Sequence, residues 1–470
     1  MLSALLTMLA VLSVRDRFSD PDMWWHLRTG QIIWNTHTIP TTDLFSWTAY
    51  GIPSVPHEWL SQGIIYGAYR FGGYSGLMLL LCVCTAALLI AGYILCALYS
   101  GNAKIALLGA LIIWFFATSG IAIRPQLIGY ILLIVELLIL QLGSTRSPRW
   151  FFWLPPLFAF WVNCHGSFFL GLVVACLLYT CSFVTFQAMA FQASAWNRKA
   201  HTCFGLALAF SIAALFINPI GLRQVLYPVR VILMGSNLNA IEEFQPLVPT
   251  SARGIGLLIV LMCVVFFMIS RYATLYWREL VLLAVGTWLA LSHRRMVFVF
   301  GILAAPIVCR LLSSYWDSYT PERDLPIANG ALILVAAFIT VTAFPNRAVL
   351  LEQVRKSNPT GAVEYITTHH LTGHMLNDWV YGGYLIWAMP EHPDFIDGRG
   401  DVFDQAGVVE DFGAWALLQT DPRLLLDKYQ INFSVLPPNA PMSHVLPLLP
   451  GWKAAYSDDT AIVFVRDRSH

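Results

Sequence analysis

Long apolar runs occupy most of the chain, at about 1–14, 75–99, 105–122, 127–143, 150–163, 167–187, 203–217, 254–270, 279–292, 296–313 and 327–344, each broken by Pro, Gly or charge. On the scale that about 20 apolar residues span a bilayer, they predict about eleven membrane-embedded helices. Several runs are short, so their boundaries are soft by several residues. The run 1–14 ends at Arg15, Asp16 and Arg17, and it shows neither the basic leader nor the small-residue cleavage site of a signal peptide. Being short for a full span, it either begins at the membrane edge or starts a few residues late.

From Pro345 onward the pattern changes. A helix-like stretch after Pro359 is followed by short strand-like runs near His374–Asn377, Asp394–Asp397, Asn432–Leu436, Lys453–Tyr456 and Ala461–Arg466, with helical segments between them. The chain therefore reads as an α-helical polytopic membrane protein over 1–344, with a long first outer loop at 15–74, followed by a small soluble α/β domain over 345–470. With a cytoplasmic N-terminus, the inside connectors carry Lys104, Arg146, Arg149, Arg198, Lys199, Arg271, Arg278 and Arg323. The opposite loops hold nearly every polar cluster, and an odd number of spans puts the tail on that outer side too; in a bacterium-like setting this is the periplasm, outside the inner membrane.

Composition agrees with burial in lipid. Hydrophobic residues make up 57% of the chain and charged residues 12%, about half the charged fraction of a soluble domain, which is about 25%. A formal net charge of +1 argues against a nucleic-acid partner, which would need a basic face. The nine cysteines follow neither zinc nor disulfide spacing and read as small buried hydrophobes.

Candidate chemistry clusters in the first outer loop, where Asp20, Asp22, Trp24, Trp25 and His26 follow the first span and His57-Glu58-Trp59 closes the loop. A carboxylate here can ligate a divalent cation such as Mg or Mn, or take a proton as general base. Helix capping is the structural account of Asp20 and Asp22, and a favourable helix macrodipole that of Glu58; neither explains His57. Arg124, Asn163, His165, Arg294 and Arg295 stand at outer helix ends, where ionisable groups are costly unless paired or hydrated. Arginine forks suit a phosphate at membrane depth, against the plainer account of side chains snorkelling to the interface. The segment from Asn218-Pro219-Ile220-Gly221 to Glu242-Glu243 forms a long outer loop, and Asp397-Gly398-Arg399-Gly400-Asp401 places two acids and an arginine just after a strand, where loops of α/β domains often hold ligands and where a self-satisfied Asp–Arg turn is the equal alternative.

This arrangement resembles the GT-C superfamily of membrane glycosyltransferases: acidic residues Asp20 and Asp22 straight after the first span, basic residues on the outer face, and a soluble tail. Within it, the chain is similar to a set of bacterial multi-pass proteins marked by Asp22, Trp25-His26-Leu27, Gly30, Asp43, Ser46, His57-Glu58-Trp59-Leu60, Asn163, His165-Gly166, Asn218-Pro219, Gly221, Gly382-Gly383-Tyr384 and Asp397-Gly398-Arg399. The resemblance implies inverting transfer of a sugar from a polyprenyl-phosphate-linked donor to an acceptor at the outer membrane face. Asp22 would be the base or a metal ligand, with Asp20, Glu58 and His57 beside it. His26, Arg124, Asn163, His165, Arg294 and Arg295 would bind substrate. Two departures stand out: a second acidic outer-loop motif and the acceptor motif of oligosaccharyltransferases are not evident, so the acceptor is a lipid, a glycan or a protein. A non-catalytic scaffold with the same fold, and a lipid or polysaccharide transporter, are the alternatives; transport is disfavoured because the apolar runs carry little charge beyond Glu136.

Overall fold

The structure, a computed structural model, describes residues 1–188, 191–234, 245–270, 274–316, 319–320, 322 and 324–467. Arg271, Arg323, Glu242 and Glu243 lie outside the described residues. The chain divides into two compact units, one of Met1–Arg15, Leu79–Val229 and Ile241–Phe344, the other of Asp16–Met78, Arg230–Ala240 and Pro345–His470.

The first unit is built from the apolar runs, each of which is occupied by a helix. A helix bonds its own backbone donors and acceptors, which is what a chain in hydrocarbon must do. Among the described residues five helices are long and apolar enough to cross a membrane: Trp59–Ser100, Pro125–Thr145, Ala252–Ile269, Arg294–Ser313 and Pro326–Ala343. Shorter apolar helices include Leu2–Val14, Ala103–Ala117 and Phe168–Cys181. Helix Val297–Ser313 is buried along nearly its whole length, packed against Ala103–Ala117 and Trp277–Ser292. Pro326–Ala343 is its opposite: it packs on Leu2–Val14, buries Ala336 and leaves Ile327, Leu334, Phe338 and Val341 largely exposed. So apolar an exposed face is suited to lipid, not water.

A small sheet departs from the sequence pattern. Helix Phe168–Cys181 stops short of the apolar run's end, and Phe186–Ala188 pairs antiparallel with Phe191–Ala193, which pairs parallel with Leu275–Tyr276. The intervening Phe183-Val184-Thr185-Phe186 is aromatic and β-branched, a composition that favours extended chain once the helix has ended. Nearby, Arg310 donates from Nε to Glu279 Oε1 at 2.6 Å and from Nη2 to the Thr274 carbonyl at 2.9 Å.

The second unit joins the tail to residues 16–78. Strands His374–Asn377, Ile431–Leu436, Ile462–Arg466 and Trp452–Ser457 lie side by side in that order, the first pair parallel and the rest antiparallel. Helices Thr360–Thr368, Trp379–Ala388, Val408–Ala416 and Pro422–Lys428 accompany the sheet. The first loop adds itself to this layer. Ser46 bridges Asp394 in parallel sense, the Trp47 N–H donates to the Asp394 carbonyl at 3.1 Å, and the Asp394 N–H donates to the Phe45 carbonyl at 3.1 Å. Trp47 donates its indole N–H to the Met375 carbonyl at 3.0 Å and stacks on His374. Ala49 is buried in one apolar cluster with Leu376, Phe395, Ile396 and Trp415.

Candidate functional site

Asp22 stands at the start of helix Met23–Thr36, yet its side chain makes no capping hydrogen bond. Instead Trp25 donates its indole N–H to Asp22 Oδ1 at 3.3 Å, and Asp20 Oδ1 accepts the Asp22 backbone N–H at 3.0 Å. The carboxylate is seated directly over Gly398: a Cβ there would overlap Asp22 Oδ1 and lie 3.0 Å from its Cγ and 3.4 Å from Trp25 Nε1. The backbone is held in the same way, since a Cβ at Gly383 would overlap the Pro21 carbonyl oxygen. Gly383 thus serves the close approach of helix Trp379–Ala388 to Met23–Thr36, on which it packs, while its neighbour Gly382 lies against the Ile396 carbonyl and Asp397.

His26, one turn beyond Asp22, is buried, with its ring against Trp25 at a centroid distance of 3.6 Å. Its Nδ1 lies 3.2 Å from Gln62 Nε2 and 3.8 Å from Glu58 Oε2. Glu58 Oε1 lies 3.4 Å from His57 Nε2 on its other side, and His57 Nδ1 lies 3.1 Å from the Val55 carbonyl. Burial alone would lower the His57 pKa, but the Glu58 carboxylate, with the Val55 carbonyl and Asp401 adding to it, raises it above the usual histidine value. Close approach makes this grouping: Gly30 lies where a Cβ would overlap the Gln62 carbonyl oxygen. Asp20, Asp22, His26, His57 and Glu58 therefore all belong to the tail-bearing unit, and Trp25 and His26 link Asp22 to the Glu58 pair.

Beneath Asp22 lies a buried ionic cluster whose joint role the sequence did not disclose. Arg399 donates from its backbone N–H and from Nε to Asp397 Oδ1, at 2.8 and 2.9 Å, and from Nη1 to Asp43 Oδ1. Asp43 Oδ2 in turn accepts the Ser46 N–H at 3.0 Å and the Ser46 hydroxyl at 2.7 Å. Asp394 is fully buried beside them; burial first, then the Asp397 and Asp43 carboxylates, push its carboxyl well above the usual range, with Arg399 opposing only in part. The available signal was the spacing of Asp43 and Ser46 together with Asp397 and Arg399, but nothing local joins segments so far apart.

Arg124, Asn163, His165, Arg294 and Arg295 fall in the membrane unit. Arg124 precedes helix Pro125–Thr145 in extended conformation. Asn163 donates both amide hydrogens to backbone, to the Ala159 and Ile217 carbonyls at 2.8 Å each. The Ser167 N–H donates to His165 Nδ1 at 3.1 Å, which in a neutral ring leaves the proton on Nε2. Arg294 and Arg295 sit, half-buried, in the tight turn joining Trp277–Ser292 to Val297–Ser313, where the Arg294 N–H donates to the Gln245 carbonyl at 2.8 Å. Asn218 shapes its own turn, Oδ1 accepting the Ile220 and Gly221 N–H groups at 2.9 and 2.6 Å.

For a metal ion the fit is thin. Among the described residues no group of three or more His, Cys, Asp or Glu side chains is disposed to hold one, and one Asp20 oxygen already accepts a backbone N–H.

No family model matches the chain, and no curated protein matches it in sequence. Solved structures do match. ArnT from Cupriavidus metallidurans, bound to undecaprenyl phosphate, aligns over 99% of this chain and 97% of its own, with a TM-score of 0.56 at 12% identity. The oligosaccharyltransferase AglB from Archaeoglobus fulgidus, in complex with an inhibitory peptide and a dolichol-phosphate, aligns over 92% of this chain and 69% of its own, with a TM-score of 0.53 at 12% identity. The Archaeoglobus fulgidus enzyme in its apo form gives a TM-score of 0.51 at 13% identity, over 92% and 69% of the two chains. At these identities the likeness is one of fold.

Proposed function

Starting from the fold of the GT-C membrane glycosyltransferases, which this chain shares, we propose that the protein transfers a sugar from a polyprenyl-phosphate-linked donor to an acceptor at the outer face of the membrane. The observation that carries the reading is Asp22: a carboxylate at a helix start that does not cap the helix but is held by Trp25 and seated on Gly398. In the proposed reaction the acceptor's hydroxyl or amine attacks the anomeric carbon, forming the new bond with inversion. The bond from that carbon to the phosphate oxygen breaks, and the phosphate leaves with the electron pair. Asp22 takes the acceptor's proton. Glu58 and His57 hold the adjacent helix start and its charge, and Trp25 offers an aromatic face to the sugar.

Polyprenyl phosphates bound to ArnT and AglB support a lipid-linked donor here, and the guanidinium groups of Arg124, Arg294 and Arg295 have the chemistry that binds a phosphate. The proposal includes about eleven spans, a cytoplasmic N-terminus and a tail in the periplasm of an inner-membrane protein. Were a divalent cation used, Asp20 and Asp22 would hold it, and it would supply positive charge to the departing phosphate.

The test uses purified protein, polyprenyl-phosphate-linked sugars extracted from native membranes, and release of polyprenyl phosphate as the readout. Asp22→Asn keeps the shape and removes the charge. Turnover should fall by about 10²-fold or more, the scale of a positioned acid–base group, with little change in thermal stability. Wild-type turnover in this variant would move the base to Glu58 or favour a non-enzymatic scaffold.

A further inference from the structure

Asp43, Asp394, Asp397 and Arg399 have no part in the reaction just described, yet they are buried at considerable cost. Arg399 is 9% exposed and the three carboxylates are fully buried. A buried ion pair of this kind adds little net stability over a well-packed apolar core; what it does supply is fixed geometry. The arginine fork is planar and rigid, and here it grips Asp397 of its own turn and Asp43 of the first loop at once. Its guanidinium also lies over the Phe45 ring at 4.8 Å and the Phe403 ring at 5.8 Å. Gly398, between Asp397 and Arg399, is the floor on which the Asp22 carboxylate rests.

We propose that the Asp397-Gly398-Arg399 turn is a positioning element for Asp22, with the Arg399 clamp fixing the turn to the first loop and Gly398 setting where the carboxylate oxygen stands. The inference rests on Asp22 being the proton acceptor. Gly383 against the Pro21 carbonyl completes the grip, so the tail holds both the backbone before Asp22 and its side chain. A reacting group must be held to within about 0.5 Å of its productive position. A methyl group at position 398 therefore displaces the base without touching its chemistry.

Gly398 does not use a left-handed backbone conformation, so Gly398→Ala changes little but the space under Asp22. In the transfer assay described above it should lower kcat by about 10²-fold, the cost of roughly 1 Å of misplacement, with the KM for the lipid-linked sugar and the thermal stability near wild type. Because both changes act through one carboxylate, Asp22→Asn combined with Gly398→Ala should be no slower than the worse single variant. Arg399→Lys, which keeps the charge and loses the fork, should also lower kcat more than it raises KM, and it carries the test if Gly398→Ala does not fold. Wild-type kcat in both Gly398→Ala and Arg399→Lys, with Asp22→Asn inactive, overturns the positioning role and leaves the base assignment standing. Multiplying losses in the double variant also overturn it, since Gly398 would then act elsewhere. Wild-type turnover in Asp22→Asn removes the premise instead.

Discussion

Glu58 lies between two imidazoles, and the consequence is a pH signature. Burial disfavours a charged His57, but the neighbouring carboxylate outweighs it, so the ring titrates above its unfolded value of 6.5. A folded pKa above the unfolded one means that the charged ring's stabilisation is fully present below about pH 6.5 and is lost as pH rises through the raised value. Thermal unfolding followed across that window should show stability falling as pH rises. Glu58→Gln, which removes the main cause of the raised pKa, should flatten that part of the curve; an unchanged slope would assign it to another group. At this scale the sequence was informative where chemistry and position coincide. Asp22 was legible as the acid following the first apolar run, and its neighbours Trp25 and His26 came with it. Gly398 was not legible as a seat, because nothing in Asp397-Gly398-Arg399 names the residue that rests on it. Arg399 bonds Asp397 of its own turn, a contact that neighbouring residues allow; its second bond, to Asp43, spans 356 residues.

Helices in the membrane unit were legible because hydrocarbon leaves a chain little choice but to bond its own backbone. The strands His374–Asn377 and Ile431–Leu436 showed through their short apolar, β-favouring pattern. The pairing of Phe186–Ala188, Phe191–Ala193 and Leu275–Tyr276 did not, since each piece is too short to carry a period and its partner is remote. One helix carries a feature with its own test. Glu136, inside Pro125–Thr145, is fully buried, and neither carboxylate oxygen has a hydrogen-bond partner among the described residues. It lies against Gly171, where a Cβ would stand 2.6 Å from its Oε2 and 2.5 Å from the Trp161 ring. Replacing an unpaired buried polar group by an apolar one of like shape is nearly neutral or stabilising. Glu136→Met should therefore keep or raise the melting temperature and leave transfer intact. A folded variant that has lost transfer would mark Glu136 as functional.

For the molecule as a whole, the fold is shared with proteins at 12% identity, so the likeness lies in the fold and not in a sequence signature. The basic residues of the membrane unit give the corresponding test. Losing a charged donor to phosphate costs about 1.5–3 kcal/mol, roughly 10- to 100-fold in Kd. Arg294→Leu and Arg295→Leu, each purified and titrated with undecaprenyl phosphate, should bind it more weakly by that order while remaining folded. Equal binding by wild type and both variants would reduce the pair to interfacial anchors. The bond between Asp43 and Arg399 also imposes an order in time. At about 5–20 residues per second of synthesis, the first loop waits on the order of 20–70 s after Asp43 is made before its partner leaves the ribosome. Through that interval every apolar helix can enter the bilayer while Asp22 has no seat. The seat of Asp22 thus forms only after the apolar helices have been made, and a chain stopped before Asp394 should hold its membrane helices and lack that seat.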